Sequence, residues 1–120
     1  MDKANNEFVF LFRQPAINYS PEKEKEVNKK WNDWIGGIAA QGKIAAYGKH
    51  LKPEGSVLKA GGVVTDGPFV EIREILGGFI IVKADTMDDA ITIAHGCPAI
   101  DEGGSVEIRT AFVYDNLPTI

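Results

Sequence analysis

The sequence predicts an α+β fold of the split β-α-β type, a mostly antiparallel sheet carrying two helices on one face. Three observations lead there. Segments 7–13 and 75–84 are apolar at both alternating sets of positions, as central strands are. Residues 20–22 and 86–89 each carry a helix-start signature. Between and around these, the elements run strand, helix, strands, strand, helix, strand.

In chain order, Phe8, Phe10 and Phe12 share one side of the first strand, with Val9 and Leu11 on the other. Ser20-Pro21-Glu22 then supplies a cap hydroxyl, a proline at the first helical position and an early carboxylate suited to the helix dipole. Val27, Trp31, Trp34, Ile35 and Ile38 follow at i, i+4, i+7, i+8 and i+11, one stripe of a helix that Gly42 is placed to end. Gly36 and Gly37 cost that helix about 1 kcal/mol each relative to Ala. They call for a compensation, such as close approach to a strand or to a second subunit.

Residues 44–51 read as a second strand, and 56–64 as a short hairpin turned by Gly61-Gly62. In 75–84 the pair Gly77-Gly78 marks a bulge or a close backbone contact within a buried strand. Thr86 caps a second helix with Asp89 three residues on, and Met87, Ala90, Ile91 and Ala94 form its apolar stripe before Gly96 and Pro98 stop it. Residues 105–113 close the chain as a strand, Val106 and Ile108 facing one way, Glu107 and Arg109 the other. Two helices cover only one sheet face, yet both faces of the central strands are apolar; a second copy of the chain is the simplest cover for the other.

At 120 residues the chain is expected to form a single domain over 1–120, and its 44% hydrophobic and 25% charged residues exclude intrinsic disorder. A net charge of −4 argues against nucleic acid as a partner. No apolar run approaches the ~18 residues of a membrane span, and the first residues lack the apolar core of a secretory signal. One cysteine, Cys97, permits no internal disulfide and no thiolate cluster, which fits a reducing, cytoplasmic setting without membrane association. His50 and His95, without a neighbouring carboxylate motif, do not make a metal site, so no metal and no cofactor are expected.

The most distinctive stretch runs Thr65-Asp66-Gly67-Pro68-Phe69-Val70-Glu71-Ile72-Arg73-Glu74, followed by Gly77-Gly78-Phe79, Cys97-Pro98 and Gly104-Ser105-Val106-Glu107-Ile108-Arg109. With Trp31-Asn32-Asp33-Trp34-Ile35 and Ala39-Ala40-Gln41-Gly42-Lys43, these resemble the DGPF branch of the YCII-related family over nearly the whole chain. The resemblance implies a ferredoxin-like fold of the dimeric α/β-barrel class and a homodimer with a cleft; it implies no particular reaction. Some YCII-related proteins carry a His in the first helix and an Asp before a Pro after the second, proposed as a catalytic pair. The matching positions here are Trp31 and Cys97, neither of which serves as that acid–base group. A His–Asp mechanism therefore does not carry over. The family usually has Lys at Arg73, and often Pro where Thr110 stands.

Physically, Asp66-Gly67-Pro68 is a turn former, and the same turn could hold the Asp66 carboxylate at a cleft mouth as a base. Glu71, Arg73 and Glu74 form either a solvated charged connection or a cleft rim, with Glu71 as a second candidate base and Arg73 as an anion clamp. Glu107 and Arg109 share a face that is otherwise apolar, so they must pair with each other, with a partner subunit or with a ligand. Trp31 and Trp34 are core residues or flat ligand walls; His50 is a surface residue or faces the cleft. Cys97 reads as a small buried hydrophobe.

Three functions remain open. One is a homodimeric protein binding a small polar or anionic ligand through Trp31, Trp34, His50, Arg73, Glu74, Glu107 and Arg109. Another is a cofactor-free isomerase, lyase or oxygenase with Asp66 or Glu71 as base and Arg73 or Arg109 as clamp. The third is a protein-interaction module in gene regulation.

Overall fold

The computed structural model describes residues 6–15, 18–67 and 74–112. Six strands and three helices follow in the order β1 (Glu7–Pro15), α1 (Pro21–Ala40), β2 (Ile44–His50), β3 (Ser56–Leu58), β4 (Val64–Asp66), β5 (Glu74–Lys83), α2 (Met87–Ala94), α3 (Pro98–Asp101) and β6 (Ser105–Thr110). Four of the strands form one sheet in the order β2-β5-β1-β6, every neighbouring pair antiparallel, and β3 and β4 pair apart from it. This is the ferredoxin-like α+β arrangement: β1 and β2 are separated by β5, which inserts between them.

The sheet register explains the core. Phe8, Phe10 and Phe12 lie opposite Val82, Ile80 and Gly78 on one side and Thr110, Ile108 and Val106 on the other, giving one continuous apolar layer. Ile38 of α1 and Ala90 and Ala94 of α2 close over that layer with Cys97 and Ala99, so both long helices cover the same face. Phe10, Ile80 and Val82 are almost completely withdrawn from solvent. The opposite face presents Val9, Leu11, Phe79 and Ile81, aligned as Val9 with Ile81 and Leu11 with Phe79, all only half-buried.

Both helix starts form as the sequence predicts. The hydroxyl of Ser20 accepts from the Lys23 backbone N–H at 3.2 Å and that of Thr86 from Asp89 at 3.1 Å. The glycine pair of β5 does both jobs expected of it. The ladder to β1 skips Gly77, a one-residue bulge, and a Cβ on Gly78 would lie 2.7 Å from the Lys49 carbonyl oxygen.

Three expectations change. Pro98 does not merely end the second helix; it opens α3, one further turn for which proline's fixed φ is preorganised. The last strand stops at Thr110 rather than running on to 113. Gly36 and Gly37 meet no close neighbour: both are exposed, with open space where a side chain would be, so nothing within the described chain offsets their cost to α1.

Candidate functional site

The apolar stripe of α1 is long, and the sheet beneath it covers only part of that length. Trp34 lies where cover is complete. Its ring stacks on Phe10 with centroids 6.3 Å apart, and its indole N–H donates to the Ile93 carbonyl at 3.1 Å, which fixes it between α1 and α2. Trp31, one turn earlier, meets Phe12 edge-on at 4.8 Å and Trp34 at 5.9 Å, but its other side borders open space. That space is a cleft of about 680 Å³ between α1, the ends of β1 and β5, and β2. Its volume falls in the range of roughly 300–1,000 Å³ usual for small-molecule sites.

The cleft is apolar at its floor and polar at its rim. Phe12, Val27, Trp31 and Ile35 supply the apolar part. Asn28 and Asn32, one helical turn apart on α1, contribute two neutral amides, and Tyr47, Lys49 and His50 face them from β2. The charges are separated: the Lys49 ammonium belongs to β2, whereas the Glu24 carboxylate stands on α1. Gln14 also lines the cleft, and its amide nitrogen is buried without a hydrogen-bond partner. A buried orphan donor of this kind costs about 1–3 kcal/mol.

Tyr19 borders the entrance and is held in place, its hydroxyl donating to Glu102 Oε1 at 2.9 Å while Lys23 Nζ lies 3.9 Å from Oε2. Burial, and then the adjacent Glu102 carboxylate, push the Tyr19 hydroxyl above its ordinary range, so it stays protonated and acts as a donor.

Of the residues singled out from sequence, Trp31 and His50 reach this cleft. Glu107 and Arg109 stand on the opposite sheet face, where Glu107 accepts from Arg13 Nη1 at 2.5 Å and from Arg109 Nη1 at 3.3 Å. The partner missing from the sequence reading is Arg13, which the register places two residues from the Leu11–Glu107 pair. The Arg13 guanidinium, with Arg109 beside it, holds the Glu107 carboxyl below its usual range against a smaller opposing effect of burial.

Asp66 ends β4 and is exposed, outside the cleft lining. Glu74 opens β5 opposite Pro15, a residue of the cleft wall. Pro68, Phe69, Glu71 and Arg73 lie outside the described residues. Cys97 is buried, and loss of solvation pushes its thiol up to about 12, which makes it a packing residue rather than a nucleophile. Among the described residues no three His, Cys, Asp or Glu side chains gather as a metal would require.

The sequence reading missed Gln14, Asn28, Asn32, Tyr47 and Lys49. One signal was available. Two asparagines four apart, flanking a tryptophan on a helix, are weak helix formers in a place where Lys or Glu would serve a solvated face better.

The YCII-related domain profile matches residues 8–113, from the first core phenylalanine to just beyond the last strand. The chain belongs to the YCII-related family. No curated protein matches the chain significantly. Within this YCII-related protein the cleft opens beside Trp31. No helix is long and apolar enough to cross a membrane among the described residues.

Proposed function

We propose that this YCII-related protein, of the DGPF branch, is a homodimeric cytoplasmic binding protein for a small planar molecule with an anionic or carbonyl oxygen. The cleft carries this reading: an aromatic wall, an apolar floor, neutral amides at the rim and a cation on one side form a site that recognises a flat, partly polar molecule. Lys49, with His50 beside it, takes the anionic end. Arg73 remains a second candidate cation by residue type. The half-buried apolar face opposite the helices supports the homodimer, because contiguous apolar surface of that kind is ordinarily covered.

The test is incubation with a metabolite extract followed by mass spectrometry of what the protein retains. A retained compound should be bound at least tenfold more weakly by Trp31→Ala. Lys49→Ala should cost roughly 1.5–3 kcal/mol, as expected for a charge-assisted hydrogen bond. Arg109→Ala should leave binding unchanged. Retention of no compound, or of one indifferent to Trp31→Ala, overturns the reading. Depletion of a compound that stops in Asp66→Asn or Glu71→Gln would establish an enzyme instead.

A further inference from the structure

The cleft is lined by two unlike charges, and the fold keeps them apart. Elsewhere opposite charges are brought together: Lys29 Nζ lies 2.7 Å from Asp33 Oδ2 on the exposed side of α1, and Arg13 and Arg109 both donate to Glu107. Glu24 and Lys49 both line the cleft, yet among the described residues neither enters an ion pair. The helix accounts for their separation. Glu24, Asn28 and Asn32 follow one turn after another, a polar row on α1 beside the apolar row of Val27, Trp31 and Ile35. Trp31 packs on Phe12, Phe12 lies opposite Gly78, and Gly78 lies opposite His50, so the Lys49–His50 end of β2 is level with Trp31. Glu24 is two turns earlier, about 10 Å along the helix axis at ~1.5 Å per residue. The row between carries the uncharged amides of Asn28 and Asn32. Glu22 and Glu26, the acidic neighbours of Glu24, lie outside the cleft lining, so Glu24 is the carboxylate that the start of α1 turns towards it.

We propose that the cleft takes an elongated amphoteric molecule, its anionic end at Lys49, its flat part against Trp31 and a cationic end at Glu24, about 10 Å along α1. The inference rests on the planar-ligand reading and adds the second charge to it. A purely anionic ligand gains at Lys49 and loses at Glu24, and a purely cationic one does the reverse. An amphoteric ligand laid in one direction gains at both ends. The apolar floor between the two charges holds less water than open surface does, which weakens the screening of each by solvent. Glu24 is thus the element that discriminates against simple anions, and the direction in which the ligand lies is set by the two walls of the cleft.

The experiment is a calorimetric and NMR titration of the full chain with three probes built on one para-phenylene ring. The first carries an aminoethyl arm and a propanoate arm, which sets its two charges a comparable distance apart. The second has ethyl in place of aminoethyl and is an anion only; the third has propyl in place of propanoate and is a cation only. At low ionic strength the amphoteric probe should bind about fivefold tighter than either analogue. In Glu24→Gln its advantage over the anion should fall to within about twofold, and in Lys49→Gln its advantage over the cation should fall likewise. Glu22→Gln makes the same change of net charge in the same first turn of α1 but outside the cleft, and should leave every ratio as in the wild type. An anion that binds as tightly as the amphoteric probe, an advantage that survives Glu24→Gln, or a Glu22→Gln variant that behaves like Glu24→Gln overturns the proposal. The planar anionic reading then stands if Trp31→Ala and Lys49→Ala still weaken the anion. Probe binding indifferent to Trp31→Ala sinks both, and no binding of any probe at millimolar concentration removes the amphoteric class while retention from a metabolite extract still decides the cleft reading.

Discussion

Trp31 and Trp34 lie on the same helical stripe, one turn apart, and the structure gives them different work. Trp34 is held on both sides, by the Phe10 ring and by the hydrogen bond to Ile93. Trp34→Ala should therefore lower stability by about 3 kcal/mol in denaturant titrations, because it leaves a cavity between α1 and α2. Trp31→Ala removes a wall with open space behind it and should cost clearly less than Trp34→Ala in the same titrations. Equal losses would place both rings in one core. Spacing could not distinguish them, since a stripe shows which side chains face inward and not where the opposing sheet ends. Nor could it pair Arg13 with Glu107, 94 residues apart; only the β1–β6 register brings them together. That pair has a pH signature. Glu107 is held below its ordinary value of 4.5 in the folded state, so its contribution is complete above that value and disappears as pH falls through the lower folded one. The stability gap between wild type and Glu107→Gln should be largest near neutrality and shrink as pH falls below the ordinary carboxylate value. A gap that persists undiminished in strong acid would remove the ion cluster as its cause.

At the scale of elements, two glycine substitutions should act in opposite directions. Gly36 sits exposed inside α1 with nothing close to where an added methyl group would lie, so Gly36→Ala should stabilise by up to about 1 kcal/mol. Gly48 in β2 has φ +65°, and a Cβ there would collide with the Phe79 backbone carbonyl of the neighbouring strand. Gly48→Ala should cost about 2 kcal/mol or more and loosen the β2–β5 edge that carries Lys49 and His50. Thermal melts check both, and a Gly36→Ala variant less stable than wild type would mean that α1 packs against something at that face. The elements themselves were legible because each had a local cause: two apolar sets in the central strands, a cap hydroxyl before each long helix, a glycine pair at the bulge. Four-residue α3 was not, because a single turn is too short for a periodic pattern to repeat. The β2 irregularities, where the ladder to β5 slips twice, were likewise invisible, and they bear on the cleft because that strand carries Tyr47, Lys49 and His50. Half of the site was thus readable as residue type on α1, and half depended on how an irregular strand presents its side chains.

For the whole molecule, the decisive quantity is how much apolar surface a single chain leaves uncovered. The half-buried face of Val9, Leu11, Phe79 and Ile81 and the exposed Leu58–Val64 pair are the apolar surfaces a second copy would cover, and in the proposed homodimer folding is linked to concentration. Unfolding of a dimer to two chains carries an entropy near ~0.5 kcal/mol/K for this chain length, so each tenfold rise in protein concentration should lift the thermal midpoint by about 3 °C. A midpoint that stays constant between about 1 and 100 µM, on the order of a 6 °C shift missing, would show that the folded unit is one chain and that both apolar surfaces are turned to solvent or to a different molecule.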